Sequence, residues 1–326
     1  MKSYPEYLAL LGGGDLQQLS ARDAKHLAGA MLDAGVPEVE LGALIATMQY
    51  NSSSTVLLEG FVDALGERIQ HWPVAAERFA PVAIGCYGGA WDMPNLTPLL
   101  GMVLARFGIP VIMHGPLHAH AGISSAILLR SLGIMPCAHV QQVVPALESR
   151  HIAFLPDALI APGLALLIAL RARLGPTALF TLAARLINPF CVEPLIMVWA
   201  DDPWELETLR SFMVAKGRCA LLLGWSQDDR NARSLHRPRI EYWREGQCEV
   251  LFEEEAMHAQ EGALAPDSAS AETTALWMRQ VHDGTRPLPL ALHGQFAACL
   301  YASGYCDDIN QAKALAAISA TQQRVA

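Results

Sequence analysis

The sequence contains no CxxC pair, and its seven cysteines (86, 137, 191, 219, 248, 299 and 306) are scattered singly. That excludes a cysteine-based zinc site and, with an odd count, a disulfide framework; the thiols read as small apolar groups in a reducing, cytoplasmic protein. Long apolar runs are also missing. The longest, Ala158 to Leu170, has 13 residues and is broken by Pro162 and Gly163, whereas a bilayer span needs about 20. No membrane partner is expected. The opening MKSYPEYLALLGGGD has neither the apolar centre nor the small-residue cleavage site of a signal peptide. Charge is sparse at 17%, and 23 Lys plus Arg face 32 Asp plus Glu, for a net charge of −9. A general basic coat for nucleic acid is thereby excluded, and any such contact must rest on a local patch.

What is present is apolar: 52% of 326 residues are hydrophobic, enough for a large core and too many for disorder. The length suggests two structural units. Residues 20–70 read as helices. Ser20 caps the first, which carries Leu27, Met31 and Leu32; Leu41, Leu44, Ile45 and Met48 mark a second, and Leu57, Leu58, Phe61 and Leu65 a third after Ser54. From Pro81 the pattern changes to a buried strand (to Ile84), a glycine loop, a helix (99–107), a strand (109–113) ending at His114-Gly115, and a helix (124–132). That βαβα order implies parallel strands with a ligand crevice at their carboxyl ends. Two apolar helices divided by Gly175-Pro176 occupy 164–186. Strands are expected at 195–199, 219–223 and 250–252, and helices at about 271–283 and 291–319. Trp277 and Met278 read as core residues of the first C-terminal helix.

Two loops carry the site signals. Gly85-Cys86-Tyr87-Gly88-Gly89, with Asn95 and Thr97 behind it, suits backbone approach to a phosphate, and equally a plain tight turn. His114-Gly115 is followed by His118 and His120, a spacing that matches no standard zinc site. Polar histidines lining a cleft are the simpler reading, and no metal is assigned.

Together these loops resemble the anthranilate phosphoribosyltransferases. That family's GTGGD, NxST, KHGNR and SGSAD-like segments are matched in order and without gaps by GCYGG, NLTP, MHGPL and ISSAI between Gly85 and Ile134. GPTALFTLAARLINPF (175–190) resembles its GPRTIFNLLGPLTNP, and residues 20–66 and 271–317 resemble its terminal helices. NLTPLL, the following Arg-Phe-Gly-Ile-Pro-Val, and ETTALWMRQ resemble a divergent, YbiB-like branch. The resemblance implies an α/β fold with a small all-helical N-terminal domain (1–72, joined by helices from about 164–190). Beside it stands a larger α/β domain (73–163 and 191–326) with a central mostly parallel sheet and the glycine-loop cleft. It also implies a homodimer formed through the helical domains, here using Leu41, Leu44, Ile45 and Met48.

The departures fall on the residues that hold the family's substrates. Its lysine before HG becomes Met113, its Asn-Arg pair Pro116-Leu117, and the loop aspartate Gly89. The arginine associated with anthranilate becomes Thr177, its His-His pair falls near Ile160-Ala161, and its magnesium-binding Asp-Glu becomes Asp229-Arg230. Each lost charge-assisted contact is worth about 1.5–3 kcal/mol, so a degenerate catalytic site is expected, with no catalytic residue assigned. Gly85, Gly88, Gly89, Asn95, Thr97, His114, Gly115, Ser124 and Ser125 remain as candidates for a smaller anion, and magnesium through Asp229 only if transferase activity persists. The branch implies a homodimeric nucleic-acid-binding protein; a glycosyl- or phosphoribosyltransferase with altered substrates is the alternative. The matching cluster is Arg230, Arg233, Arg237, Arg239 and Arg244 with Trp243, cations beside an aromatic as single strands require. It also reads as a solvated loop balanced by acids.

Overall fold

The computed structural model describes residues 2–13, 18–51, 54–74, 78–87, 94–120, 122–224, 236–256 and 270–321. The helices are α1 (Tyr4–Gly12), α2 (Ala21–Leu32), α3 (Glu38–Tyr50), α4 (Thr55–Gly66), α5 (Thr97–Arg106), α6 (Ser125–Ser131), α7 (Val143–Arg150), α8 (Asp157–Ile160), α9 (Pro162–Ala169), α10 (Arg171–Leu174), α11 (Ala178–Arg185), α12 (Pro203–Lys216), α13 (Ala271–His282), α14 (Leu290–Ala302) and α15 (Ile309–Thr321). The strands are β1 (Val82–Gly85), β2 (Val111–Gly115), β3 (Ile152–Pro156), β4 (Leu195–Trp199), β5 (Ala220–Leu223), β6 (His236–Arg237), β7 (Ile240–Arg244), β8 (Gln247–Phe252) and β9 (Glu255–Ala256).

Serines set the helix starts as the sequence suggests. The Ser20, Ser54 and Ser124 hydroxyls accept from the backbone N–H groups of Asp23, Leu57 and Ile127 at 3.1, 3.4 and 3.2 Å. Helix α1 starts similarly, the Ser3 N–H donating to Glu6 Oε2 at 2.6 Å. The seven-stranded sheet runs β3-β2-β1-β4-β5-β7-β8, parallel through β5 and antiparallel beyond it; β6 and β9 pair separately. The fold is mixed α/β with a mostly parallel sheet, as expected. Strand β3 is an addition to the sequence reading. The single expected helix over 291–319 is two, because the chain turns at Gly304, whose φ of +78° favours glycine.

Both faces of the parallel strands are covered. Ala83, Ile112, Leu155, Ile196 and Leu222 face one core, which continues into α1–α4, α9 and α11. Val82, Ile84, Met113, Phe154, Met197 and Leu221 face the other, against α5, α13 and α14. The Phe61 and Phe180 rings, 5.3 Å apart, tie α4 to α11. Strand order reverses between β1 and β4, and a crevice opens outside the carboxyl ends of strands at such a switch point.

Candidate functional site

At that crevice the chain ends of β1 to β4 and the helices α9–α11 enclose a cavity of about 620 Å³. Tyr87 enters from the end of β1, His118 and His120 from beyond β2, Asp157 from the end of β3, and Asp201 and Glu205 from beyond β4. Arg171 and Arg185 come from the helical side, with Ala165, Ile168 and Pro176 as apolar wall.

The expected anion ligands are differently employed. Gly85 is demanded by packing: a Cβ there would lie 2.8 Å from the Arg185 Cα; on Gly115 it would lie 2.7 Å from the Cys86 carbonyl oxygen. Asn95 Nδ2 donates to Ile123 O at 3.1 Å and Ser125 Oγ at 3.0 Å, and its Oδ1 accepts from the Thr97 N–H at 3.2 Å. Ser124 caps α6 and donates to Leu117 O at 2.6 Å. These groups bind the loops to one another, and none of Gly85, Asn95, Thr97, His114, Gly115, Ser124 and Ser125 lines the cavity. His114 is fully buried with its Nδ1 3.4 Å from the Tyr87 hydroxyl and its Nε2 without a hydrogen-bond partner among the described residues. Burial pushes its pKa down to about 3, so the ring is neutral. Gly88 and Gly89 lie outside the described residues.

The cavity's charges are new relative to the sequence reading. Arg185 is 2% exposed, donates from Nη1 to Trp199 O (2.8 Å) and Glu205 Oε2 (3.2 Å), and from Nη2 to Asp201. Burial raises the pKa of Glu205, with Arg185 opposing that shift. Asp157 accepts from its neighbour's N–H at 2.7 Å, and burial raises its pKa also. One buried guanidinium against two acids is neutralised before any ligand arrives, which leaves Arg171 as the lining's arginine without an ion-pair partner among the described residues. Met113, at the position of the family's lysine, faces away from the cavity into the core, its sulfur 2.7 Å from a Cβ built on Gly101 of α5. Among the described residues no group of three or more His, Cys, Asp or Glu is placed to hold a metal ion, and Asp229 lies outside them.

The basic segment is corrected in part. Its described portion is mostly strand: β6 holds Arg237, β7 holds Trp243 and Arg244, and Arg239 lies between them. Arg237 pairs with Glu255 at 2.6 Å, and Arg239 with Glu253 and, at 3.0 Å, with Glu241. Trp243 is 6% exposed and donates to Glu241 Oε2 at 3.1 Å, so it has no free face for a base. Glu241 is buried, which raises its pKa, but its bonds from Arg210 and Arg239 outweigh that and hold it low. Arg244 is exposed, with Glu245 at 3.8 Å; Arg230 and Arg233 lie outside the described residues. The expected dimer face is corrected too: Leu44, Ile45 and Met48 are at most 1% exposed within this chain's own core. Val39, Tyr50, Leu166 and Leu174 are the exposed large apolar residues on these helices. No described helix is long and apolar enough to cross a membrane.

No family model matches the chain. It is 28% identical over 294 residues to the uncharacterized protein YbiB of Escherichia coli K12, covering 90% of this chain and 91% of that protein. It is 29% identical over 188 residues to the anthranilate phosphoribosyltransferase of Prochlorococcus marinus, covering 58% of this chain and 54% of the enzyme. Its match to that enzyme thus spans about half the enzyme's length. Among solved structures, the anthranilate phosphoribosyltransferase of Thermus thermophilus superposes with a TM-score of 0.73 at 23% identity, over 94% of this chain and 92% of that one. The Saccharomyces cerevisiae enzyme, in complex with PRPP and Mg, gives 0.74 at 13% identity over 98% and 94%. At these identities the likeness is one of fold.

Proposed function

Since the chain belongs to the anthranilate phosphoribosyltransferase-like family, on its divergent YbiB-like branch, we propose that it is a homodimeric binding protein whose cleft has given up the family reaction and whose ligand is nucleic acid. The observation that carries the loss of reaction is the Arg185–Glu205–Asp201 cluster: the buried cation of the cleft is already neutralised. Nucleic-acid affinity needs cations without acidic partners, which turns attention from Arg237 and Arg239 to Arg171 and Arg173 on α10. Neither has an ion-pair partner among the described residues, and both sit beside the exposed Leu174. Val39, Tyr50, Leu166 and Leu174 are the exposed apolar residues through which two copies would pair, which would join two such arginine pairs in one assembly. With a net charge of −9 per chain, binding is expected at low salt and falls steeply as salt rises.

Fluorescence anisotropy with single-stranded and duplex oligonucleotides at two salt concentrations tests the ligand, and light scattering the dimer. Arg171→Ala/Arg173→Ala should weaken binding and flatten the salt slope, while Arg237→Ala/Arg239→Ala should not. A wild type that binds neither strand at low salt refutes the nucleic-acid reading. A second reading, a transferase with altered substrate, is favoured by the cavity of about 620 Å³ and by Asp157, a half-buried carboxyl in its wall without a cation partner among the described residues.

A further inference from the structure

At the amino-terminal edge of the sheet, on the end opposite the cleft, three arginines from three helices line one surface cavity of about 550 Å³. Arg106 closes α5, Arg150 closes α7, and Arg279 lies in the last turn of α13. Each is held by a single bond to a carbonyl at a neighbouring helix end: Arg106 to His282 O at 2.9 Å, Arg150 to Gly133 O at 3.2 Å, and Arg279 to Ser131 O at 3.1 Å. None has a carboxylate partner among the described residues, whereas Arg68, Arg185, Arg210, Arg218, Arg237 and Arg239 all do. The one acid in the lining, Asp283, is 3.3 Å from His282 Nδ1. The floor is apolar, with Met102, Leu132 and Ile152.

We propose that this cavity binds a small phosphate ester, its phosphate or diphosphate held by Arg106, Arg150 and Arg279 and its organic body lying on the apolar floor. One N–H of each guanidinium is fixed on a carbonyl, which orients the head, covers the negative helix end and leaves the other donors for the anion. Planar forks suit phosphate oxygens, and three unneutralised charges in a net-acidic chain make a local positive field. The volume suits a nucleotide-sized ligand. A nucleic-acid backbone carries the same phosphate chemistry, but a cavity closed by an apolar floor favours a small ester over a continuous strand.

Isothermal titration of the full chain without magnesium, using adenosine diphosphate, inorganic pyrophosphate and single-stranded oligothymidylate, tests this. The diphosphate nucleotide and pyrophosphate should each bind once per chain, the nucleotide more tightly. Arg106→Gln/Arg150→Gln/Arg279→Gln should weaken both at least about tenfold and leave oligonucleotide binding unchanged. Because these side chains also brace helix ends, Arg150→Glu alone, at the exposed end of α7, repeats the test, with the same direction expected and its melting curve checked beside it. The proposal is overturned if neither small anion binds at millimolar concentration, if both variants bind them like wild type, or if only the oligonucleotide binds.

Discussion

Replacing Arg185 by methionine keeps an unbranched apolar stem and deletes the guanidinium with its charge, which probes the cleft's ion cluster. Glu205, with a side chain 6% exposed, is left with the Asp201 N–H at 2.8 Å as its remaining donor; Asp201 is 60% exposed and rejoins the solvent. Breaking a buried pair by removing one partner costs about 3–5 kcal/mol, nearly all of it here from Glu205, since an exposed partner contributes below about 1 kcal/mol. The pH dependence has a definite sign. Burial already raises the Glu205 pKa, and without Arg185 nothing cationic opposes it. A folded-state pKa above the unfolded value gives stability that is full below the unfolded pKa and lost as pH rises through the folded one. The deficit of Arg185→Met should therefore be largest at pH 8 and shrink toward pH 5. Urea unfolding followed by circular dichroism at both pH values measures it. A double-mutant cycle with Glu205→Gln should return a coupling of about 2 kcal/mol. A deficit under about 1 kcal/mol at pH 8, or one that widens on acidification, refutes this account of the cluster.

Anthranilate turnover with phosphoribosyl pyrophosphate and magnesium should be undetectable by product fluorescence; Met113→Lys should lower the melting temperature rather than restore activity, because it puts an unpaired charge into the core at a cost of about 3 kcal/mol or more. His114, neutral in the fold with its pKa pushed down to about 3, is protonated in the unfolded chain below about pH 6.5. Stability should accordingly fall as pH drops from about 6.5 toward 3, and His114→Gln should flatten that limb in urea titrations. Gly85→Ala should cost about 1–3 kcal/mol by forcing a Cβ against the Arg185 backbone, read as a lowered denaturation midpoint.

The architecture was legible where local chemistry decides it. Serine caps and short apolar runs bounded by glycine and proline marked α2, α4, α6, β1, β2, β4 and β5. Strand β3 escaped because IAFLP runs into the apolar DALIAPGLALL, so no polar boundary separates strand from helix. Trp243 read as a free aromatic because its neighbours in sequence are charged; the two-residue period of β7 puts it on the buried face with Glu241. The cleft's charges were illegible for a topological reason. Asp157 follows β3, Asp201 and Glu205 follow β4, and Arg185 closes α11, so only the folding of the parallel sheet brings them to one place.

The contact between Gly85 and Arg185 has a consequence for how such a motif is inherited. The first glycine of the loop is pinned by a helix backbone less than one atomic diameter from where a side chain would begin. Drift at that position is therefore blocked by the fold itself, whether or not a phosphate ever visits the loop. A glycine held in this way is required by packing alone, so its presence in a sequence is not by itself a sign that the loop meets a phosphate. The chemistry of the cleft is read instead from the charged side chains that line it, Asp157, Arg171, Arg185, Asp201 and Glu205.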